Sequence, residues 1–460
     1  MSLLAKKFSI KNLLKPGLMM LIPVFFGCET QSDLGIKYDL GSEAGVKFVE
    51  FTLPATNIYI DSLKTDGEGQ ILVGKYSDSL TGSVSAEGYF NYSYESGPLP
   101  RAKSSSSNQN PVDTLKLDSL VLVIKVGSLI PSLPTEQSFE VFQLKNNLDN
   151  NLVYLSNNKQ DLDLKIGEFS TTISPKDDSV YRIKLDSSYA KSFFFQISNI
   201  AGDVGQSIDS YLFKPLGLIP NNDSKTISSV DLSSDTLRIF LYSSPISQES
   251  KDTTYITSFE PIGKNYSHID RNLSESEFSG ISEKQNFDLP SGKTIIDPLM
   301  GLSTAFSLAP LKDFFDQNEN ILINNASLAL KFEADENRDT LEIFLNYFRK
   351  SDNSFFGSAI QANPFGNIVM SDNGYLNLNS NPAASSFNNE KNELLLSSTL
   401  FYQQLYRQYI DSLIFINPTN GSVRPVEYLV LISPIDVTLQ RTIFKKDGIK
   451  LRLYYTEVDQ

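Results

Sequence analysis

Alternation of apolar and polar positions with a period of two runs through this chain. In "NASLALKFEA", from Asn325, Leu328, Leu330 and Phe332 share one phase, and Ser327, Ala329 and Lys331 the other. Successive residues of a strand point to opposite faces, so the segment reads as a half-buried strand. The same phase returns in "SDTLRIFLYSS" (Leu237, Ile239, Leu241) and "GIKLRLYYTE" (Ile449, Leu451, Leu453, Tyr455). Further strands are predicted at "VKFVEF" (46–51), "NIYI" (57–60), "ILVGKY" (71–76), "LDSLVLVIKV" from Leu117, "SFEVFQL" from Ser138 and "TLEIFLNYF" from Thr340. Clusters of Asn, Ser and Asp punctuate these runs as turns. Helix signals are sparse. "PLKDFFDQ" (310–317) is short, and "STLFYQQLYRQYIDSL" from Ser398 sets Phe401, Leu405 and Ile410 on one face after a Ser/Thr start. The expected class is all-β with a few short helices.

The strands fall into two comparable sets. Leu120 to Leu328, Phe139 to Leu341 and Leu237 to Leu451 are separated by 208, 202 and 214 residues. Near-constant spacing of similar strands points to two domains in tandem. Two antiparallel β-sandwiches of jelly-roll type, at 46–248 and 249–460, are the economical arrangement, with a boundary in "SPISQESKDT". "RAKSSSSNQNP" (101–111) has too little apolar content to join a core and reads as an exposed loop.

The first 45 residues follow a different pattern. Lys6, Lys7, Lys11 and Lys15 precede the uncharged run "GLMMLIPVFF", and Gly27 stands before Cys28, the only cysteine of 460 residues. A basic start, a short apolar run and a small residue at the cleavage point make a secretory signal, which places residues 1–27 in a signal peptide. The run is too short to span a bilayer. A cysteine just after cleavage is the acylation position of bacterial lipoproteins, although Phe25 and Phe26 depart from the usual box. "ETQSDLGIKYDLGSEAG" then predicts a flexible tether over 28–45. Covalent lipid on Cys28 would be the only anchor, each buried CH₂ of the acyl chains contributing about 0.8 kcal/mol. Cleavage removes four lysines and no acid, taking the net charge from −14 to −18. Such an acidic chain is a poor partner for nucleic acid and for anionic membrane surfaces, since both need a basic face.

Candidate chemistry is thin. The single histidine, His268, lies in "GKNYSHIDRN" beside Ser267 and Asp270. Adjacent strand residues face opposite ways, and no Gly-x-Ser-x-Gly elbow presents a nucleophile, so a triad is not expected there. One histidine and one acylated cysteine leave almost no ligands for zinc. "DQNEN" (316–320) and "ADENRD" (334–339) are acid-rich but lack calcium-loop spacing. There is no glycine-rich phosphate loop. Neither a catalytic residue nor a metal is assigned. A paired-carboxylate glycosidase remains as an alternative, since a fold and not local spacing places such groups.

Within "ILVGKYSDSLTGSVSAEGYF" (71–90), Gly74, Tyr76, Asp78 and Gly82 fill a short "gxyxDpxfG" pattern, with Ser79 where proline is expected. This segment resembles the opening signature of a Bacteroidetes-type lipoprotein family catalogued as domain of unknown function 4270. "IIDPLMGLSTAFSLAPL" (295–311) looks like that family's mid-chain strand entry, with Asp297 and Pro298 replacing a polar pair ahead of Met300 and Gly301. "LRLYYTE" fits its last strand. The resemblance implies an outer-envelope lipoprotein and carries over no catalytic residues. Read physically, Gly74 and Gly82 bracket a turn where positive φ is easy for glycine, and Asp78 caps it. A ligand-binding loop is the other reading. The expected function is a non-enzymatic binding or structural module anchored in the outer membrane, with the surface face slightly preferred over the periplasmic one. An envelope protein or a glycan is the expected partner. A carbohydrate-binding or carbohydrate-cleaving lipoprotein, or an accessory subunit of an outer-membrane complex, are the alternatives.

Overall fold

The computed structural model describes residues 45–460, apart from 101–114, 175–179, 203–207, 247–252, 334–339, 349–368, 371–375, 378–384, 413–427, 433–440 and scattered shorter positions. The signal-peptide residues Lys6, Lys7, Lys11, Lys15 and Gly27, the acylation candidate Cys28, the loop 101–111 and the acidic segment 334–339 lie outside the described residues.

The alternating runs form strands. In chain order these are β1 (Lys47–Thr52), β2 (Ala55–Tyr59), β3 (Gln70–Asp78), β4 (Gly82–Ser96), β5 (Leu115–Ile130), β6 (Thr135–Leu144), β7 (Leu162–Ile173) and β8 (Val180–Lys184). Helix α1 (Ser187–Gly202) follows, then β9 (Leu216–Pro220), β10 (Ile227–Asp231), β11 (Arg238–Pro245), β12 (Tyr255–Asn272), β13 (Asn286–Phe287), β14 (Thr294–Ile296) and β15 (Leu302–Ser307). After α2 (Ala309–Gln317) come β16 (Ile321–Phe332), β17 (Thr340–Leu341), β18 (Phe344–Phe348), β19 (Val369–Met370), β20 (Leu376–Asn377), β21 (Ser385–Asn388) and β22 (Glu393–Ser397). Helix α3 (Thr399–Ser412), β23 (Tyr428–Ile432) and β24 (Thr442–Glu457) complete the chain. The fold is all-β: several antiparallel sheets with three short helices among the described residues.

The largest sheet runs β12-β11-β5-β10-β3-β4-β9-β6-β7, with β8 on β5. Strand β12 also pairs with β4, so six strands form a closed circuit of antiparallel ladders. Closure removes two sheet edges that would otherwise offer unpaired backbone groups. A second sheet runs β1-β24-β16-β22-β21-β17, and a third β13-β2-β15-β23-β18.

Strand pairing does not follow the expected division at 248/249. The N-terminal strands β1 and β2 pair with β24 and β15, while β12, from beyond residue 249, completes the first circuit. Val46–Gln460 is one compact unit. The physical reason is a shared core. Leu72, Val84, Ala86 and Ile269 of the first circuit pack with Leu289, Ile295, Leu299, Met300 and Leu302. Two further cores flank it. One fills the circuit with Ile71, Leu122, Phe139 and Leu241 under α1, and the other sets Leu328, Leu330, Leu451 and Leu453 against α2 and α3.

Helix α3 turns inward on Tyr402, Leu405 and Tyr409, whereas Ile410 of the expected stripe is exposed. An i, i+3, i+7 spacing holds the two tyrosines in line with Leu405. Helix α1 opens on Asp186, whose Oδ1 accepts the Ser188 and Tyr189 N–H groups at 2.8 and 2.9 Å, as an N-cap does.

Candidate functional site

Strands β3, β4 and β12 lie side by side, and their register sets polar residues in rows. Lys75 pairs with Ser85, and Ser85 with Asp270; Ser77 pairs with Ser83, and Ser83 with Asn272. Directly opposed residues share a face, so these six side chains form two polar rows across three strands. The intervening residues Tyr76, Val84 and Arg271 point the other way. The rows line an open groove of about 640 Å³, with Ser224 and Lys225 at its rim. A smaller hollow of about 310 Å³ adjoins it at Asp78, Ser79, Gly82 and Glu275. Both fall near the size range of small-ligand sites.

The same face continues along β4 and β12 as the pairs Glu87–His268 and Tyr89–Tyr266, but here it is roofed. Tyr154 stacks on Tyr266 with ring centroids 4.3 Å apart. Lys159 donates to Glu87 Oε1 at 2.8 Å, Tyr89 donates to Glu87 Oε2, and Gln160 donates to the Tyr266 hydroxyl at 2.6 Å. His268 Nδ1 lies 2.9 Å from the Ser156 carbonyl, which fixes the neutral ring with its proton on Nδ1. Burial holds the imidazole pKa below its ordinary value, against the pull of Glu87. Ser267 is on the opposite face, its Oγ accepting the Leu72 N–H at 2.8 Å. His268 and Asp270 therefore share a face, Ser267 does not, and no nucleophile–base pair forms among them.

The turn residues of 71–90 have separate roles. Asp78 Oδ1 accepts the N–H groups of Leu80 and Thr81 at 2.8 and 2.9 Å and caps the turn between β3 and β4. Gly82, at φ +96°, begins β4 with its Cα against the Asn272 carbonyl. Gly74 does not border the turn. It sits inside β3 at φ +135°, between Ala86 and Ile227, where a Cβ would fall 1.8 Å from the Thr226 carbonyl oxygen. Tyr76 donates to Asp78 Oδ2 at 3.3 Å.

Arg441 joins the segments around Asp78 and Asp297. Its Nη2 donates to Asp78 Oδ2 at 2.6 Å and Thr81 Oγ1 at 2.8 Å, and its Nε donates to Asp297 Oδ2 at 3.0 Å. Burial opposes the ionisation of Asp78, yet the Thr81 and Leu80 N–H groups and Arg441 outweigh it and hold the carboxyl below its usual range. For the more deeply buried Asp297, burial prevails and pushes the carboxyl up despite Arg441. Arg271, fully buried behind the polar rows, donates to the carbonyls of Leu299 at 2.6 Å and Asp61 at 2.7 Å. These contacts weld the floor of the groove to the segments behind it.

Sequence reasoning singled out the turn but not Lys75, Ser77, Ser83, Ser85 or Asn272. The signal was present as polar phases: Ser83, Ser85 and Glu87 within "GSVSAEG", and His268, Asp270 and Asn272 within "HIDRN". No metal-holding group of three or more acidic, histidine or cysteine side chains occurs among the described residues. Asp316 of "DQNEN" is taken by Lys312 at 2.9 Å and by the Tyr409 hydroxyl. No helix among the described residues is long and apolar enough to cross a membrane. Neither a protein-family model, nor a curated protein, nor a solved structure matches the chain.

Proposed function

We propose that this is a lipid-anchored envelope protein acting as a non-enzymatic binding module, with the open end of the β3–β4–β12 strip as its contact surface. The observation that supports the reading is the strip itself: two rows of ammonium, hydroxyl, carboxylate and amide groups on a rigid sheet, beside a groove of ligand size. Such a surface offers many donors and acceptors and no activated nucleophile. It suits reversible recognition of a polar partner. The anchor rests on the signal-like start and Cys28, together with the resemblance to the Bacteroidetes-type lipoprotein family. The hydroxyl-rich lining favours a carbohydrate chain as the ligand, because sugars are bound through networks of just these groups. Tyr76 faces away from the rows, so an aromatic platform does not support that choice.

Two experiments test the proposal. The intact mass of membrane-extracted protein, beside Cys28→Ser, reports the anchor. A chain starting at Cys28 with added acyl mass, and release of the variant from membranes, are expected; a chain retaining Met1 without lipid would refute it. For the contact surface, the full chain and a Ser85→Arg variant are compared on an array of bacterial and host glycans. Retention lost in the variant supports the strip, and equal retention by both removes it from the binding surface.

A further inference from the structure

The outer face of the β1-β24-β16 sheet carries two different surfaces. In its middle, charges come as matched pairs. Glu50 bonds Lys450 at 2.6 Å and Arg452 at 2.9 Å, and Arg452 bonds Glu393 at 2.9 Å. At the end where the chain enters β1, the face turns apolar. Val46, Phe48, Leu322, Tyr454 and Val458 are 62, 52, 53, 44 and 53 % exposed. Phe48 and Tyr454 are register partners with ring centroids 4.9 Å apart, and Leu322 stands opposite Thr456, next along the same face of β24. Isolated exposed apolar side chains are ordinary, but a contiguous set including two aromatic rings marks a contact surface.

We infer that this patch rests on the lipid–water interface of the membrane that holds Cys28. The inference deepens the anchor reading and rests on it. Three observations select the bilayer. The first is position: Val46 is where the chain arrives from Cys28, and the intervening residues 29–45 reach about 60 Å at full extension. The start of β1 is therefore the described strand-end joined to an acylated Cys28 by the shortest stretch of chain. The second is chemistry, since aromatic rings with a polar tip and aliphatic side chains are what the interfacial layer accepts. The third is charge balance. Although the chain is acidic overall, Lys47 beside the patch is paired with Glu457, and Glu50 in the band above with Lys450 and Arg452, which limits repulsion from lipid headgroups at these positions.

The protein lacks tryptophan, so one introduced residue becomes a unique fluorescent reporter. Phe48→Trp keeps a large aromatic at a half-exposed position. Leu322→Trp, on the neighbouring strand, is an independent second site. Each acylated full-length variant is reconstituted into phosphatidylcholine vesicles with and without brominated acyl chains. Its emission is compared with the same variant carrying Cys28→Ser free in solution. Both reporters are expected to shift to shorter wavelength on vesicles and to lose about a third or more of their intensity to bromine, as fits a depth of roughly 5–10 Å. Emission that stays at the solution wavelength and is unquenched overturns the inference. A blue shift that grows with protein density, without bromine quenching, also overturns it and assigns the patch to a second copy or another protein. Intact mass read on the same samples separates failure of the anchor from failure of the patch. An unacylated chain that does not sediment with vesicles refutes both, whereas an acylated chain with unquenched reporters refutes the patch alone.

Discussion

Replacing Arg441 with Met removes one guanidinium from three acceptors. Asp297, only 4 % exposed, is left with the Met300 N–H on its Oδ1 at 3.1 Å. Asp78 keeps its turn contacts but loses its charge partner. Stranding a buried charge in this way costs about 3–5 kcal/mol. Unfolding entropy of about 2.1 cal/mol/K per residue over Val46–Gln460 gives roughly 0.9 kcal/mol/K, so the midpoint falls by about 3–6 °C. The pH dependence has a definite sign. Asp297 has a folded pKa above its unfolded value, so its ionisation weighs against the fold at neutral pH and is relieved as pH falls through the folded pKa. Asp78 has a lowered folded pKa. Its contribution is present above the ordinary carboxylate range and is lost as pH falls through the lowered value. Arg441→Met enlarges the first effect and shrinks the second, both at neutral pH. The gap between wild type and variant is therefore widest near pH 7 and narrows toward pH 4. Adding Asp297→Asn to Arg441→Met removes the stranded charge while keeping an acceptor for Met300, and should recover more than half of the loss. Thermal unfolding followed by circular dichroism at the two pH values checks all of this. A loss below about 1 kcal/mol at pH 7, or an equal gap at both pH values, would refute the reasoning that this cluster is a charge-compensated weld.

Further outcomes follow from single positions. Gly74→Ala drives a methyl into the Thr226 carbonyl at a positive φ and should lower stability by about 2–4 kcal/mol in the same assay, whereas alanine at Gly45, with open space around it, should leave it unchanged. Thr304→Val should be neutral or stabilising by up to about 1 kcal/mol, because the Thr304 hydroxyl is fully buried with no hydrogen-bond partner. His268, the only histidine, has a folded pKa below 6.5, so stability falls as pH drops below the unfolded value, by at most about 1.4 kcal/mol per pH unit. His268→Asn should flatten that loss between pH 7 and pH 5, and an unchanged slope would dismiss the histidine as its source.

The class of fold was legible because alternation survives wherever one face is buried. Leu328, Leu330 and Phe332 all turn inward, as do Ile449, Leu451 and Leu453. Strand β11 lies antiparallel to β5 with Leu241 opposite Leu120, and β24 to β16 with Leu451 opposite Leu328, so the residue in the position of Leu451 is Leu241 and not the Leu237 that the sequence comparison matched to it. Long-range partners were not legible, since nothing in "VKFVEF" says that its neighbour begins near residue 450. Helix α1 was missed for a local reason. "KSFFFQISNI" reads as a strand by residue type, and only the Asp186 cap with Tyr189, Phe193, Ile197 and Ile200 buried at helical spacing reveals it. Of the site, the turn was visible as Gly and Asp chemistry. The rows on β3, β4 and β12 needed the register, and Arg441 sits in a stretch with no motif of its own.

The pairing of β1 with β24 has a consequence for how the chain is made. Lys47 and Tyr455 become neighbours only when nearly the whole polypeptide exists. Ribosomes deliver the N-terminus first, so β2 waits for β15 (Leu302–Ser307) and β1 waits longer still, for β24 (Thr442–Glu457). Ladders of such sequence separation also form slowly, since loop-closure entropy must be overcome before any contact is gained. Truncation within β24 would leave β1 without its partner, as an exposed edge open to pairing with another chain.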